Sequence, residues 1–312
     1  MERIGPVKIT IPEALKAEAP LTAWGRVLNA TPVVMTVVAT MLAGLSSSEM
    51  TRAQYDRSTA TQHQTKAGDQ WGFFQAKRLR GATLAGELDL LQNVVEVHPL
   101  DGAALLAAVG PVAEKPGVRD AVPLLTAGKL PDSGPAPPVE AKVQAALEAV
   151  ARAPDEPATA VTLNAVTDAT LAGELRAAHE RARAYDSATG PVNVAIDQLA
   201  AALEARRAEL SGLNRDFAAA RLRYSVRRYE AESRLNQFIA NLYELQVRKS
   251  NLSSDRHVHR SQRFFFGMLA AQCGVIISTF AIAARKKSLL WSIAAAAGAG
   301  AVSLAVYVYL FL

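Results

Sequence analysis

Only one cysteine, Cys273, occurs in the 312 residues, and it lies inside an apolar stretch. No intramolecular disulfide can form, and thiol catalysis and cysteine-ligated zinc lack their residues. Aromatics are scarce, at 6%, which is lean for a large globular core, while the abundant alanine favours helix and close helix contact. No long run alternates apolar with polar residues, so nothing argues for a sheet. There is no Walker loop, no GxGxxG at a strand–helix turn, no GxSxG and no HExxH. These absences predict no catalytic residues, no cofactor, no metal site and no enzymatic activity.

Charge is absent from two C-terminal stretches, and there the chain declares itself. Phe264 to Ala284 and Ser288 to Leu312 carry no charged residue and are separated by the basic turn Arg285, Lys286 and Lys287. About 20 apolar residues suffice for a helix to cross the hydrocarbon layer, so the pair reads as a transmembrane hairpin. Trp291, Tyr307 and Tyr309 suit an interfacial aromatic belt. A third, weaker stretch runs from residue 27 to 46, diluted by Asn29, Thr31, Thr36 and Thr40, with Pro32 in its first turns. A cleaved signal peptide is the rival reading. The mixed-charge leader (Glu2, Arg3, Lys8, Glu13) is unlike a short basic n-region, so residues 27–46 are read as an uncleaved anchor.

Small residues recur along the hairpin at Gly267, Ala271, Gly274 and Gly298. They serve either packing within the hairpin or contact between copies of the chain. The net charge of +5 fits topology as readily as any polyanion, and no nucleic-acid partner is expected. The short positive turn Arg285–Lys287 belongs in the cytoplasm by the positive-inside tendency, together with residues 1–26. The middle of the chain then falls on the periplasmic side of a bacterial inner membrane. Arg52, Arg57, Lys249 and Arg256 oppose this orientation, but long loops cross largely regardless of charge.

The expected fold is all-α, with three transmembrane helices, a long antiparallel coiled-coil-like stalk and a small helical head. No proline lies between Pro32 and Pro99, so an outgoing helix is expected over 47–98, with heptad-like steps at Phe74, Leu84, Leu88 and Leu91. Its glycines predict bends or close contacts. A return helix is expected over 191–263, through Ile196, Leu199, Leu203, Leu210, Phe217 and Tyr224, and then, after a stutter, Leu235, Phe238, Leu242 and Leu245. About 70 residues at roughly 1.5 Å each make a rod of about 105 Å. Residues 99–190 supply the head: a helix capped by Asp101, another after Gly117, a linker near 131–138, and a helix from near Thr162 ending before the SATGP turn. A partly disordered head is the alternative, since alanine and proline replace large apolar residues there.

The most individual segment is KAGDQWGFFQAK. Lys66, Gln70, Phe73 and Lys77 share one helical face, Ala67, Trp71, Phe74 and Arg78 the next, and Asp69 lies among them. The face either docks on the return helix near Leu235 and Phe238 or recognises another subunit. His257 and His259 are two residues apart, a poor helical spacing for a shared metal, and suit a polar interfacial turn. Arg221, Arg223, Arg227 and Arg228 form either an anion-binding patch or a solvated face balanced by Asp216, Glu230 and Glu232.

QTKAGDQWGFFQAKRLR, following an N-terminal span, resembles the "KAsDQWayyQAK" segment of the DUF4337 family of bacterial membrane proteins. The stretch from Arg263 to Val302, with Gln272, the basic turn and Trp291, resembles that family's closing hairpin. Pro99 to Gly190 looks like an insertion. The resemblance implies the three-span layout; it supplies no activity and no catalytic residues, since the family has no assigned function. A membrane-anchored helical scaffold or interaction protein is therefore expected, a subunit of a bacterial membrane or envelope complex, with the bilayer and either protein partners or further copies of itself as its contacts. An oligomeric channel or transporter subunit is the alternative.

Overall fold

The computed structural model describes residues 23–134, 138–152, 157–283 and 289–311. The residues at 1–22 and the basic turn Arg285–Lys287 lie outside this set. The described residues form eight α-helices and no strand: α1 (Ala23–Val94), α2 (Gly102–Val109), α3 (Val118–Ala127), α4 (Ala141–Arg152), α5 (Pro157–Asn164), α6 (Asp168–Glu204), α7 (Ser211–Ala283) and α8 (Leu289–Phe311). A 3₁₀ turn, Gly110–Glu114, follows α2. The chain divides into two compact units, residues 1–56 with 253–312, and residues 57–252.

In the first unit, the ends of α1 and α7 pack with α8. The helices α1, α7 and α8 each contain a stretch long and apolar enough to cross a membrane. The threonines that dilute the first stretch turn their hydroxyls back on the helix. Thr31 donates to the Val27 carbonyl, Thr36 to Pro32 and Thr40 to Thr36, at 2.8–2.9 Å. That bonding satisfies polar groups that a hydrocarbon surround would leave bare. Glycines allow the close approach of the three helices. A Cβ on Gly274 would stand 3.3 Å from the Ala294 carbonyl oxygen, and one on Gly298 would fall 1.9 Å from Met35 Cε. One on Gly267 would meet Leu42 at 3.3 Å, while Ala271, Ala294 and Ala301 are fully buried. The small residues thus pack α7 against both α8 and α1.

Ser46 and Ser261 exchange hydrogen bonds with each other's carbonyls, at 3.0 and 2.8 Å, and Ser254 donates to the Ala53 carbonyl at 2.9 Å. Residue numbers rise along one helix as they fall along the other, so the pairing is antiparallel.

In the second unit, α1 again runs antiparallel to α7. Its inward positions alternate in steps of four and three: Ala60, His63, Ala67 and Gln70, then Phe74, Lys77, Gly81 and Leu84. This is a heptad seam in which every place but Phe74 and Leu84 is small or polar. Gly81 lets α7 come close, since a Cβ there would lie 3.5 Å from Tyr229 Cβ. Gly68, Gly72 and Gly86 border open space, and α1 continues unbroken through all of them.

The expected continuous return helix is two helices. The chain leaves helical geometry at residues 205–210, between α6 and α7. Here Arg206 turns aside to bond Glu209 and donates to the Ala108 carbonyl at 2.8 Å, while Asn214 donates to the Leu203 carbonyl. The break folds Ile196, Leu199 and Leu203 of α6 onto Phe217, Ala220 and Tyr224 of α7, so the 3–4 pattern that reads as one rod is the two faces of a helical hairpin.

The expected turn at SATGP is helix interior as well: α6 starts at Asp168, not Thr162, and runs through Gly190 and Pro191. A proline inside a helix removes one hydrogen bond. Burial of Tyr185, Thr189, Val192 and Ile196 on one face continues across it and outweighs that loss.

Within the segment expected as a head, the described helices α2 to α5 pack along α6 and α7. The helices α2 and α3 close one core, with Leu105, Val118 and Leu125 against Leu199 and Tyr224. The helices α4 and α5 close another, with Val143, Ala146 and Leu163 against Leu171, Ile239 and Leu242. Asp101 caps α2 as expected, accepting from the amides of Ala103 and Ala104. Thr167 caps α6 through Thr170 N, and Lys249 ties that end to α7 through Asp168.

Candidate interaction site

The Lys66–Lys77 segment forms the most elaborate part of the α1–α7 seam, all within the second unit. Trp71 Nε1 donates to Glu244 Oε1 at 2.8 Å, and its ring meets Phe74 edge-on, with centroids 5.3 Å apart. Lys77 is ion-paired with Glu232, whose other oxygen lies 3.4 Å from Arg228 Nε. Tyr229 sits beneath both cations, with Lys77 Nζ 5.4 Å and Arg228 Cζ 4.5 Å from its ring centre. The segment therefore meets α7 at Tyr229, Glu232, Tyr243 and Glu244, and its Ala67 joins the core against which Phe238 packs. Phe73 and Asp69 face outward, Phe73 with 54% of its surface exposed.

A second cluster joins three helices. Tyr243 of α7 is 8% exposed and is flanked by His63 of α1, stacked at 6.2 Å, and His179 of α6, whose Nε2 lies 3.2 Å from Tyr243 Oη. Lys66 Nζ stands 5.9 Å from the centre of the same ring. Burial, helped by Lys66, pulls the His63 imidazole below its usual range. Burial, then Arg183 and Lys66, does the same to His179. Desolvation pushes the Tyr243 phenol up. All three groups are held neutral at physiological pH.

Three of the four arginines at 221–228 are engaged by neighbouring groups of the fold. Arg221 bonds Asp197 at 2.9 Å, Arg227 donates to the Gly128 carbonyl, and Arg228 pairs with Glu232. His257 and His259 lie within α7 and not in a turn. The two point to different sides, as their spacing requires. His259 is exposed, whereas His257 is largely buried, with Nδ1 2.5 Å from Glu49 and Nε2 3.9 Å from Asp56. The contact between His257 and Glu49 joins the helix pair here, and sequence spacing alone could not pair positions some 200 residues apart. Among the described residues, no group of three or more His, Cys, Asp or Glu is arranged to hold a metal ion.

The fold and its seams define a class: an all-α protein with three helices long and apolar enough to cross a membrane, whose outgoing and returning helices are zipped by small and polar side chains. Residues 24–109, which lie in α1, α2 and the segment between them, match the family described as Domain of unknown function (DUF4337). The match extends past Pro99 into the segment that looks like an insertion, and ends before the hairpin. No curated protein and no solved structure matches the chain.

Proposed function

We propose that the protein is a membrane-anchored helical scaffold, a structural or interaction subunit of a complex in a bacterial inner membrane, with its central region in the periplasm. The supporting observation is the outer face of α1. Leu79, Leu90 and Val94 are 64–71% exposed and lie on one helical stripe with Thr83 and Gly86, opposite the seam that α7 occupies. A protein partner or another copy of the chain gains apolar burial by covering that stripe. A photo-crosslinking residue at Leu79 or Leu90, in cells, tests the reading, paired with purification in mild detergent. A specific cross-linked species is expected. A partnerless monomer from both experiments would count against the scaffold.

The channel or transporter reading draws on one feature. Gln272 sits in the middle of a candidate span and is exposed on the outside of the three-helix group, where a polar amide suits a further helix. Reconstituted bilayers that pass neither current nor solute would remove this reading.

A further inference from the structure

Within the second unit an open cleft of about 930 Å³ runs between the end of α1, the second half of α6 and the start of α7. Its walls include Leu84 and Leu91 of α1, Ile196 of α6, and Phe217 and Leu222 of α7. It follows α7 from Ser211 to Tyr229, about 27 Å at roughly 1.5 Å per residue. That length and volume lie in the range of small-molecule sites and suit an extended chain.

Three buried polar atoms of the cleft make no hydrogen bond among the described residues. Tyr224 is 1% exposed, and its Oη is buried without a hydrogen-bond partner. Arg228 lies one helical turn further on. Its Nε is 3.4 Å from Glu232 and makes no hydrogen bond. Arg215 Nε, near the other end, is also buried and unbonded. Buried polar groups in folded proteins are nearly always satisfied, so three such atoms along one cleft call for an acceptor from outside the chain. The carboxylates fill this need only in part. Glu232 pairs with Arg228 and Lys77, Asp197 with Arg221 and Glu204 with Arg207, and Glu87 lies on the α1 wall, but none of them bonds Tyr224 Oη or Arg215 Nε. Burial keeps the Tyr224 phenol protonated and able to donate.

We propose that this cleft binds an amphiphile with one acyl chain and an anionic head. The chain lies along Leu84, Leu91, Ile196 and Phe217, and head oxygens accept from Tyr224 Oη and the Arg228 guanidinium. The head chemistry is a carboxylate or a phosphate monoester. Both are planar or tetrahedral oxyanions matched to arginine.

Native mass spectrometry of the full chain, released from a non-ionic detergent, tests this with four probes: palmitate, a monoacylglycerol phosphate, acetate and inorganic phosphate. Adducts are expected with one or both of the chain-bearing probes and with neither head-only probe, and the comparison of palmitate with the phosphate identifies the head. Tyr224→Phe keeps the ring and removes the donor, and should weaken binding about tenfold, the size of a charge-assisted hydrogen bond. Ile196→Trp and, from the opposite wall, Leu91→Trp should abolish it, with helix content by circular dichroism confirming the fold of each. Adducts that survive both tryptophans, binding weakened by Arg215→Gln but not by Tyr224→Phe, head-only probes binding as tightly as chain-bearing ones, or no adduct at all would each overturn the assignment.

Discussion

Replacing Glu232 by glutamine should loosen the second unit more than replacing either of the cations it binds. The carboxylate is 9% exposed and accepts from Lys77 of α1 while sitting 3.4 Å from Arg228 of its own helix. Removing one member of a buried ion pair costs about 3–5 kcal/mol when the remaining charge cannot reach water, and an exposed pair contributes about 0–1 kcal/mol. Lys77 keeps 31% of its side chain exposed and Arg228 18%, so the case lies between these limits. Glu232→Gln leaves two cations facing a neutral amide and should cost about 2–3 kcal/mol. Lys77→Met leaves the carboxylate with Arg228, retains the packing over Tyr229 and should cost about 1 kcal/mol.

For a unit of this size about 1 kcal/mol shifts Tm by roughly 2–4 °C. Thermal unfolding of the full chain in detergent, followed at 222 nm, should therefore drop by about 4–12 °C for Glu232→Gln and about 2–4 °C for Lys77→Met. The double variant should lose less than the two losses added, since one interaction cannot be removed twice. An equal or larger loss for Lys77→Met, or strict additivity, would show that Glu232 is not the shared partner.

The His63–Tyr243–His179 cluster makes stability pH-dependent in a stated direction. Both histidines titrate lower folded than unfolded, so the unfolded chain binds more protons below about pH 6.5 and stability falls as pH drops through that value. Urea midpoints between pH 5 and 8 should show this slope, and His179→Gln should flatten it. Trp71→Phe keeps the contact with Phe74 but strands Glu244, and should cost about 1 kcal/mol in the same urea titration. Gly298→Val should lower the melting temperature in detergent, because even its Cβ would fall on Met35. Gly300→Ala, with nothing within 4 Å, should leave it unchanged or raised. Gln272→Leu should shift any oligomer towards monomer on size-exclusion chromatography with light scattering, and leave a monomer unchanged.

The helical class and the apolar stretches were legible because hydrophobic length is a local property: no partner is needed to see that Phe264 to Ala283 carries no charge. The antiparallel seam was only partly legible. Phe74 and Leu84 marked it, but Ala60, His63, Ala67 and Lys77 fill its other places, and a periodicity of large apolar residues passes over them. The break at 205–210 was invisible for a related reason. Ala205, Arg206 and Glu209 favour helix as well as their neighbours do, and what stops the helix is the gain from folding Leu199 and Leu203 onto Phe217 and Tyr224. Pro191 misled in the other direction, since burial across it overrides a strong local breaker.

A seam built this way carries a consequence for specificity. Leucine at every inward place would give a more oily interface, and one that could slip by a heptad with little loss. Here a slip of α1 by seven residues would carry Lys77 away from Glu232 and bring it opposite the environment that Leu84 or Gln70 occupies. It would also push Phe74 toward the close contact that Gly81 makes with Tyr229. Trp71 would lose Glu244 in the same movement. Each mismatch buries an unpaired polar group or overpacks a glycine-sized space, and together they exceed what sliding apolar residues past one another could regain. Two helices of more than 70 residues each have many near-equivalent registers, so the polar and small places of α1 select one of them.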